Sequence, residues 1–183
     1  MTRTSSGDDG GVAPGRPRTI VVATDGSAAA TAALERAVGL ATGGSDAADA
    51  VVHVLSVVDT TTDPYRFGVA DVAELERTKR NLVDDIVAAL DDPDCEVRAA
   101  VRRGRPDGVV LAYAAEVDAD LLVVGRTGRS GLKRALLGST TDRLLRKSSI
   151  PVLVVPEAEG TNGVGIDTDG DDRRFRSRFD PHG

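Results

Sequence analysis

Tryptophan is absent from this sequence, and aromatic residues make up only 3% of it. Single-stranded nucleic acid is held by stacking on aromatic rings along a basic groove. A chain this poor in rings, with a formal net charge of -6, is not built for that task. There is one cysteine, Cys95, and there are two histidines, His53 and His182. These numbers exclude an internal disulfide and a Cys/His metal cluster, and leave Cys95 as a small strand residue. No apolar run approaches the roughly eighteen residues that a membrane span requires. The opening residues, MTRTSSGDDGG, lack the apolar centre of a signal peptide. The expectation is a soluble, cytoplasmic protein with no membrane partner. Lysine is scarce as well, confined to Lys79, Lys133 and Lys147, and aspartate dominates the 29 acids. Such a bias suits a salt-rich cytoplasm, although a charge of -6 is modest for it.

What is present is enough for one domain with a substantial core: 183 residues, 40% of them hydrophobic. Residues 1–17 and 157–183 mix Gly, Ser, Asp and Arg without apolar periodicity and read as disordered tails, the second acidic. Between them, 18–156 is nearly charge-balanced. Apolar runs of strand length alternate there with segments of helical period, as in a parallel sheet built of βα units. The strands read as 19–24 (TIVVAT), 50–58 (AVVHVLSVV), 96–102 (EVRAAVR), 121–124 (LLVV) and 152–155 (VLVV). Their valine content fits strands covered on both faces. Helices read as 27–41, capped by Ser27; 71–90, with Asp71 and Glu74 at capping-box spacing; 107–116; and 140–147, which must end before Pro151. Right-handed crossovers then favour a doubly wound, five-stranded α/β sheet of order 3-2-1-4-5 with helices on both faces, a Rossmann-like arrangement. In such sheets ligands bind beyond the carboxyl ends of the strands at the switch point, here between the first and fourth strands.

Both of those strands are followed by unusual residues. The first ends in Asp25-Gly26-Ser27, a carboxylate at the sheet edge; the same residues would also make an ordinary tight turn capped by Ser27. After the fourth comes GRTGRSGLKRALLGSTTD, about a dozen residues before the next helix, where such loops usually have about two to six. Gly125 and Gly128 allow backbone amides to approach an anion closely. Gly138 leads to Ser139, which with Asp142 has capping-box spacing, so the loop delivers a helix N-terminus. From Gly125 to Lys147 the basic residues Arg126, Arg129, Lys133, Arg134, Arg143, Arg146 and Lys147 face a single acid, Asp142. Arg143, Arg146 and Lys147 are placed to complement the helix C-terminus, whereas Arg126 and Arg129, lodged between glycines, point to a phosphate. The glycines run GxxGxxG, not GxGxxG, and no GxxxxGK[ST] is present, which counts against dinucleotide and P-loop readings.

These residues resemble the universal stress protein family. GRTGRSGLKRALLGS follows the family's G-x2-G-x9-G-[ST] signature, with Gly125, Gly128, Gly138 and Ser139 in the signature positions. IVVATDGS, LSVVD, DLLVVG and SIPVLVVP look like the family's first, second, fourth and closing strands, so the likeness covers 18–156. It implies an ATP-binding, homodimeric domain of the branch that carries the glycines, serving stress survival as a regulator. It further implies that Asp25 sits near the phosphates and their Mg²⁺ and that the backbone of Ala23 and Val57 borders adenine. Gly125, Arg126, Gly128 and Arg129 would form the phosphate loop, and Gly138, Ser139, Thr140 and Thr141 would hold the terminal phosphates. The family commonly has histidine or another polar residue where this chain has Arg126-Thr127, so more positive charge is expected at the loop. A slow ATPase or phosphotransferase using the same site is the rival reading. The regulatory protein partner is not identified by the sequence. His53 reads as structural, and the short apolar strand 152–155 as a pairing edge between subunits.

Overall fold

The computed structural model describes residues 16–43, 49–61, 69–128 and 137–157. Strands and helices alternate along the chain: β1 (Thr19–Thr24), α1 (Ala28–Thr42), β2 (Val51–Val58), α2 (Val69–Ala88), β3 (Glu96–Arg103), α3 (Pro106–Glu116), β4 (Leu121–Gly125), α4 (Ser139–Lys147) and β5 (Val152–Val155). All strand pairs are parallel and the sheet order is β3-β2-β1-β4-β5. This is the order that the crossover rule predicts.

Strand alternation splits the core in two. Ile20, Val22, Val52, Val54 and Val123 face α1 and α2, where they meet Ala33, Leu34, Ala37 and Val83. Val21, Leu55, Leu122 and Val124 face α3 and α4, where they meet Val110, Tyr113 and Leu144. Alanines at 29, 30, 33, 37 and 41 let α1 lie close on the sheet, and Ser27 caps it as predicted, accepting from the Ala30 amide at 3.3 Å. Coverage thins at one margin: β3 is an edge strand whose Glu96, Arg98, Arg102 and Arg103 are exposed. There Arg98 pairs with Glu96 at 2.6 Å, and such charge discourages pairing along this edge.

Three local readings are corrected. Helix α2 starts at Val69, so Asp71 lies inside its first turn and the Asp71–Glu74 spacing marks no boundary. Its far end stops at Ala88, with Ala89 and Leu90 closing the last turn onto Asp85 and Val87. At α4 the N-cap is Gly138 and no side chain caps it, because Ser139 is already helical and Asp142 is drawn to Arg146 at 3.1 Å. Cys95 is buried just ahead of β3, not within it.

His53 is buried in β2, where its Nδ1 lies 2.9 Å from the Tyr113 hydroxyl. Burial first, then the nearby Arg98 charge, lowers its pKa, with Glu96 acting in the opposite sense. A neutral imidazole bridging β2 to α3 is the structural role expected for it. Among the described residues no helix is long and apolar enough to cross a membrane.

Candidate functional site

A cavity of about 400 Å³ opens at the carboxyl edge of the sheet, where β1 turns to one side and β4 to the other. One wall is apolar, made by Ala23, Leu55, Val57, Pro106, Val110 and Leu144. The other is polar, made by Asp25, Gly125, Thr127, Gly128 and the first turn of α4.

The turn after β1 satisfies itself with short-range hydrogen bonds. Gly26 takes a φ of 81°, its amide donates to the Thr24 hydroxyl at 3.2 Å, and the Ser27 amide donates to Asp25 Oδ1 at 3.0 Å. Gly26 meets that φ at no steric cost. The result holds the Asp25 carboxylate at the sheet edge, as the sequence suggested, with Ser27 capping α1 at the same time.

The connection from β4 to α4 is pinched shut at its base. Arg126 donates its amide to the Val155 carbonyl at 2.7 Å and accepts from the Gly138 amide at 2.8 Å. The Thr141 hydroxyl donates to the Gly125 carbonyl at 2.8 Å, which ties α4 to the end of β4. The N-cap Gly138 offers no side-chain cap, and Gly138, Ser139, Thr140 and Thr141 of the α4 start line the cavity. A helix N-terminus of this kind is suited to an anion.

Two glycines here sit in close contacts of different kinds. A Cβ on Gly125 would lie 2.9 Å from the Ala29 carbonyl carbon and 3.0 Å from the Ala30 nitrogen. A Cβ on Gly128 would lie 2.6 Å from Asp25 Oδ2. The first glycine lets α1 approach β4; the second leaves room for a carboxylate.

Of the residues singled out from the sequence, Ala23, Asp25, Val57, Gly125, Gly128, Gly138, Ser139, Thr140 and Thr141 all line this one cavity. Arg126 does not: its side chain is exposed and its backbone closes the loop base. Arg129 lies outside the described residues. Asp59, Leu55, Val110 and Thr127 also line the cavity and were not foreseen. Asp59 carried a signal, since it follows β2 at the same sheet edge as Asp25.

Behind the apolar wall, α3 and α4 are locked together by Asp107, which is 1% exposed. Lys147 donates to it at 2.8 Å and Arg105 at 2.7 Å, and Arg143 lies 3.8 Å away. Two of the three cations expected to complement the end of α4 therefore serve α3 instead. Burial alone would raise the Asp107 pKa, but the hydrogen bonds from Lys147 and Arg105 and their charge outweigh it and hold the carboxyl below its ordinary 3.8. Hydrogen bonds to charged groups are worth about 1.5–3 kcal/mol each, and both cations are half exposed and can turn to water. Asp107→Asn is thus expected to cost about 2 kcal/mol in urea unfolding at pH 7. A lowered folded pKa gives stability that is present above the unfolded pKa and lost as pH falls through it toward the folded value. The gap between wild type and Asp107→Asn should accordingly close below pH 3.8; a gap unchanged by acid would refute the ionic account.

Fold and cavity together define an open α/β domain with a cavity at its topological switch point. The chain belongs to the universal stress protein family, whose profile matches residues 17–156. It is 29% identical over 140 residues to the universal stress protein MJ0531 of Methanocaldococcus jannaschii, spanning 74% of this chain and 80% of that one. The solved structure of the hypothetical protein MJ0577 superposes with a TM-score of 0.69 at 27% identity, over 79% of this chain and 99% of the other. A universal stress protein solved in complex with cAMP superposes with a TM-score of 0.54 at 28% identity, over 79% and 100%.

Proposed function

We propose that this chain binds an adenine nucleotide, ATP together with Mg²⁺, in the cavity at the switch point, and that occupancy regulates a partner protein during stress. The observation that carries the reading is the joining, in one cavity of about 400 Å³, of an apolar wall sized for a base with an uncapped helix N-terminus flanked by hydroxyls. That volume is within the range of small-molecule sites, about 300–1,000 Å³. The likeness to a family member solved in complex with cAMP supports a nucleotide as the ligand class.

On this reading the base rests between Ala23 and Val57. The phosphates run toward Gly125, Gly128 and the first turn of α4, where Gly138, Ser139, Thr140 and the Thr141 amide would receive them. Magnesium is usually held by one or two carboxylates plus substrate phosphates. Asp25 fits that part, and among the described residues no cluster of three acids, histidines or cysteines would hold a metal alone. When bound, the ion would neutralise phosphate charge beside the Asp25 carboxylate.

Calorimetric titration of Mg²⁺–ATP, in low and in high potassium chloride, tests the reading. One site per subunit is expected, with the bound ATP intact after hours. No binding in either salt would overturn it, and several turnovers per minute would replace the regulator with the rival enzyme.

The assembly proposed is a homodimer through β5. Among the described residues that strand pairs only with β4, is apolar throughout and only half-buried, and the neighbouring α4 exposes Leu145 to 43%. Light scattering at micromolar concentration should give twice the 19.0 kDa of the chain; a monomer would remove the idea.

A further inference from the structure

We infer that Asp107, which stands behind the cavity wall rather than in its lining, is a positioning residue for the nucleotide: its bond to Lys147 seats α4 against α3 and so fixes the first turn of α4 relative to the apolar wall. The inference rests on the nucleotide reading above and assigns to it a group that lies outside the glycine signature.

The cavity is shared between two helices whose spacing must be maintained by side chains. Pro106 and Val110 of α3 line it on one side, and Ser139, Thr140, Thr141 and Leu144 come from α4. Helix α4 is short and is tied at both ends. At its first turn the Thr141 hydroxyl donates to the Gly125 carbonyl at 2.8 Å, and at its last the Lys147 ammonium donates to Asp107 Oδ2 at 2.8 Å. Between those ties Leu144 is fully buried, in the same cluster as Val110. Asp107 precedes Val110 by three residues and Lys147 follows Leu144 by three, so in each helix the charged group and the cavity-lining residue share a face.

The three cations around this carboxylate are not equivalent. Lys147 and, at 3.8 Å, Arg143 reach it from α4, whereas Arg105 is the N-cap of α3 itself and donates at 2.7 Å within the same turn. Only the first two join one helix to the other. A carboxylate 1% exposed is no better a source of stability than an apolar side chain of its volume, but a buried pair is costly to break, so it holds its two helices in one arrangement. Without the α4 partners, α4 samples positions in which its first turn is displaced from the wall. The apparent affinity then falls with the fraction of molecules still seated.

The experiment is titration of the full chain with Mg²⁺–ATP, beside thermal melts, on Lys147→Gln, on Lys147→Gln combined with Arg143→Gln, on Arg105→Gln and on Arg146→Gln. The combined variant removes both α4 partners in case Arg143 closes onto the carboxylate once Lys147 is gone. Arg146, 75% exposed and paired with Asp142, sits at the same helix end and reports any loss due only to fewer positive charges near a phosphate. The combined variant should bind ATP about tenfold more weakly than wild type, with Lys147→Gln alone between, while Arg105→Gln should lose less than about twofold. Arg146→Gln should bind as wild type does. Wild-type affinity in the combined variant would overturn the inference. So would an equal loss in Arg105→Gln, which would leave the carboxylate a stability element only, or in Arg146→Gln, which would make the loss one of charge. Failure of wild type to bind ATP at all would instead overturn the nucleotide reading, and this assignment with it.

Discussion

Gly128→Val is expected to weaken Mg²⁺–ATP binding at least about 100-fold, equivalent to roughly 2.7 kcal/mol, while leaving the protein folded. The steric conflict it creates is with the end of a side chain: an added Cβ would sit 2.6 Å from Asp25 Oδ2. Asp25 can turn away from that contact by rotating, so the core is not disturbed. What is lost is the placement of the carboxylate, together with the close approach of the loop backbone to a phosphate, and branched carbons now occupy the cavity. Calorimetry and a thermal melt on the same sample separate the two effects. Retention of ATP affinity to within a few fold would show that Asp25 and the glycine loop do not form the phosphate end of the site. Asp25→Ala should reproduce the loss of affinity without the bulk.

Gly125 belongs to the same signature and should fail in the other way. Its missing Cβ faces the Ala29 carbonyl carbon at 2.9 Å and the Ala30 nitrogen at 3.0 Å, which are backbone atoms of the first turn of α1. Neither can rotate aside. Accommodating even one methyl there means lifting α1 from β4, and overpacking a well-fitted interior costs about 1–3 kcal/mol or more. Gly125→Val is expected at or above the top of that range, about 3 kcal/mol, which for a domain of this size lowers the melting temperature by roughly 10 °C. Gly39→Ala is the control of opposite sign. It sits within α1 with nothing within 4 Å of its added Cβ, so the better helix former should stabilise by about 0.5–1 kcal/mol. If Gly125→Val melts like wild type, the close approach of α1 to β4 is not what the glycine is for.

The contrast shows what a glycine pattern does and does not reveal. G-x2-G-x9-G-[ST] reads as a single phosphate cradle, yet one glycine is demanded by a helix packed on a strand and another lies against the side chain of an aspartate about a hundred residues earlier in the chain. Gly138 differs again: it caps α4 through its backbone, and an added Cβ would meet nothing nearer than 3.5 Å. Arg126 shows the same limit from the other side. Charge and position recommended its guanidinium, but its backbone is what closes the loop, through Val155 and Gly138.

By itself the sequence determined the alternation of strands and helices, because continuous valine-rich runs of strand length and helical stripes are local patterns that each segment carries within itself. It also determined the sheet order, because right-handed crossovers leave few ways to lay five parallel strands side by side. The position of the candidate cavity followed from that order alone, with Asp25, Gly125, Gly128 and residues 138–141 meeting where β1 and β4 diverge. Local capping was legible at Ser27, where the hydroxyl has no competitor. It was misread at Ser139, where Gly138 already starts the helix and Asp142 is captured by Arg146. Only the tertiary structure decided that Asp107 would be buried against Arg105 and Lys147, since the latter partner lies 40 residues away and charge composition does not specify pairing. It alone also brought Asp59 to the cavity wall: a carboxylate after a strand is commonplace, and its meaning depends on which strands stand beside it.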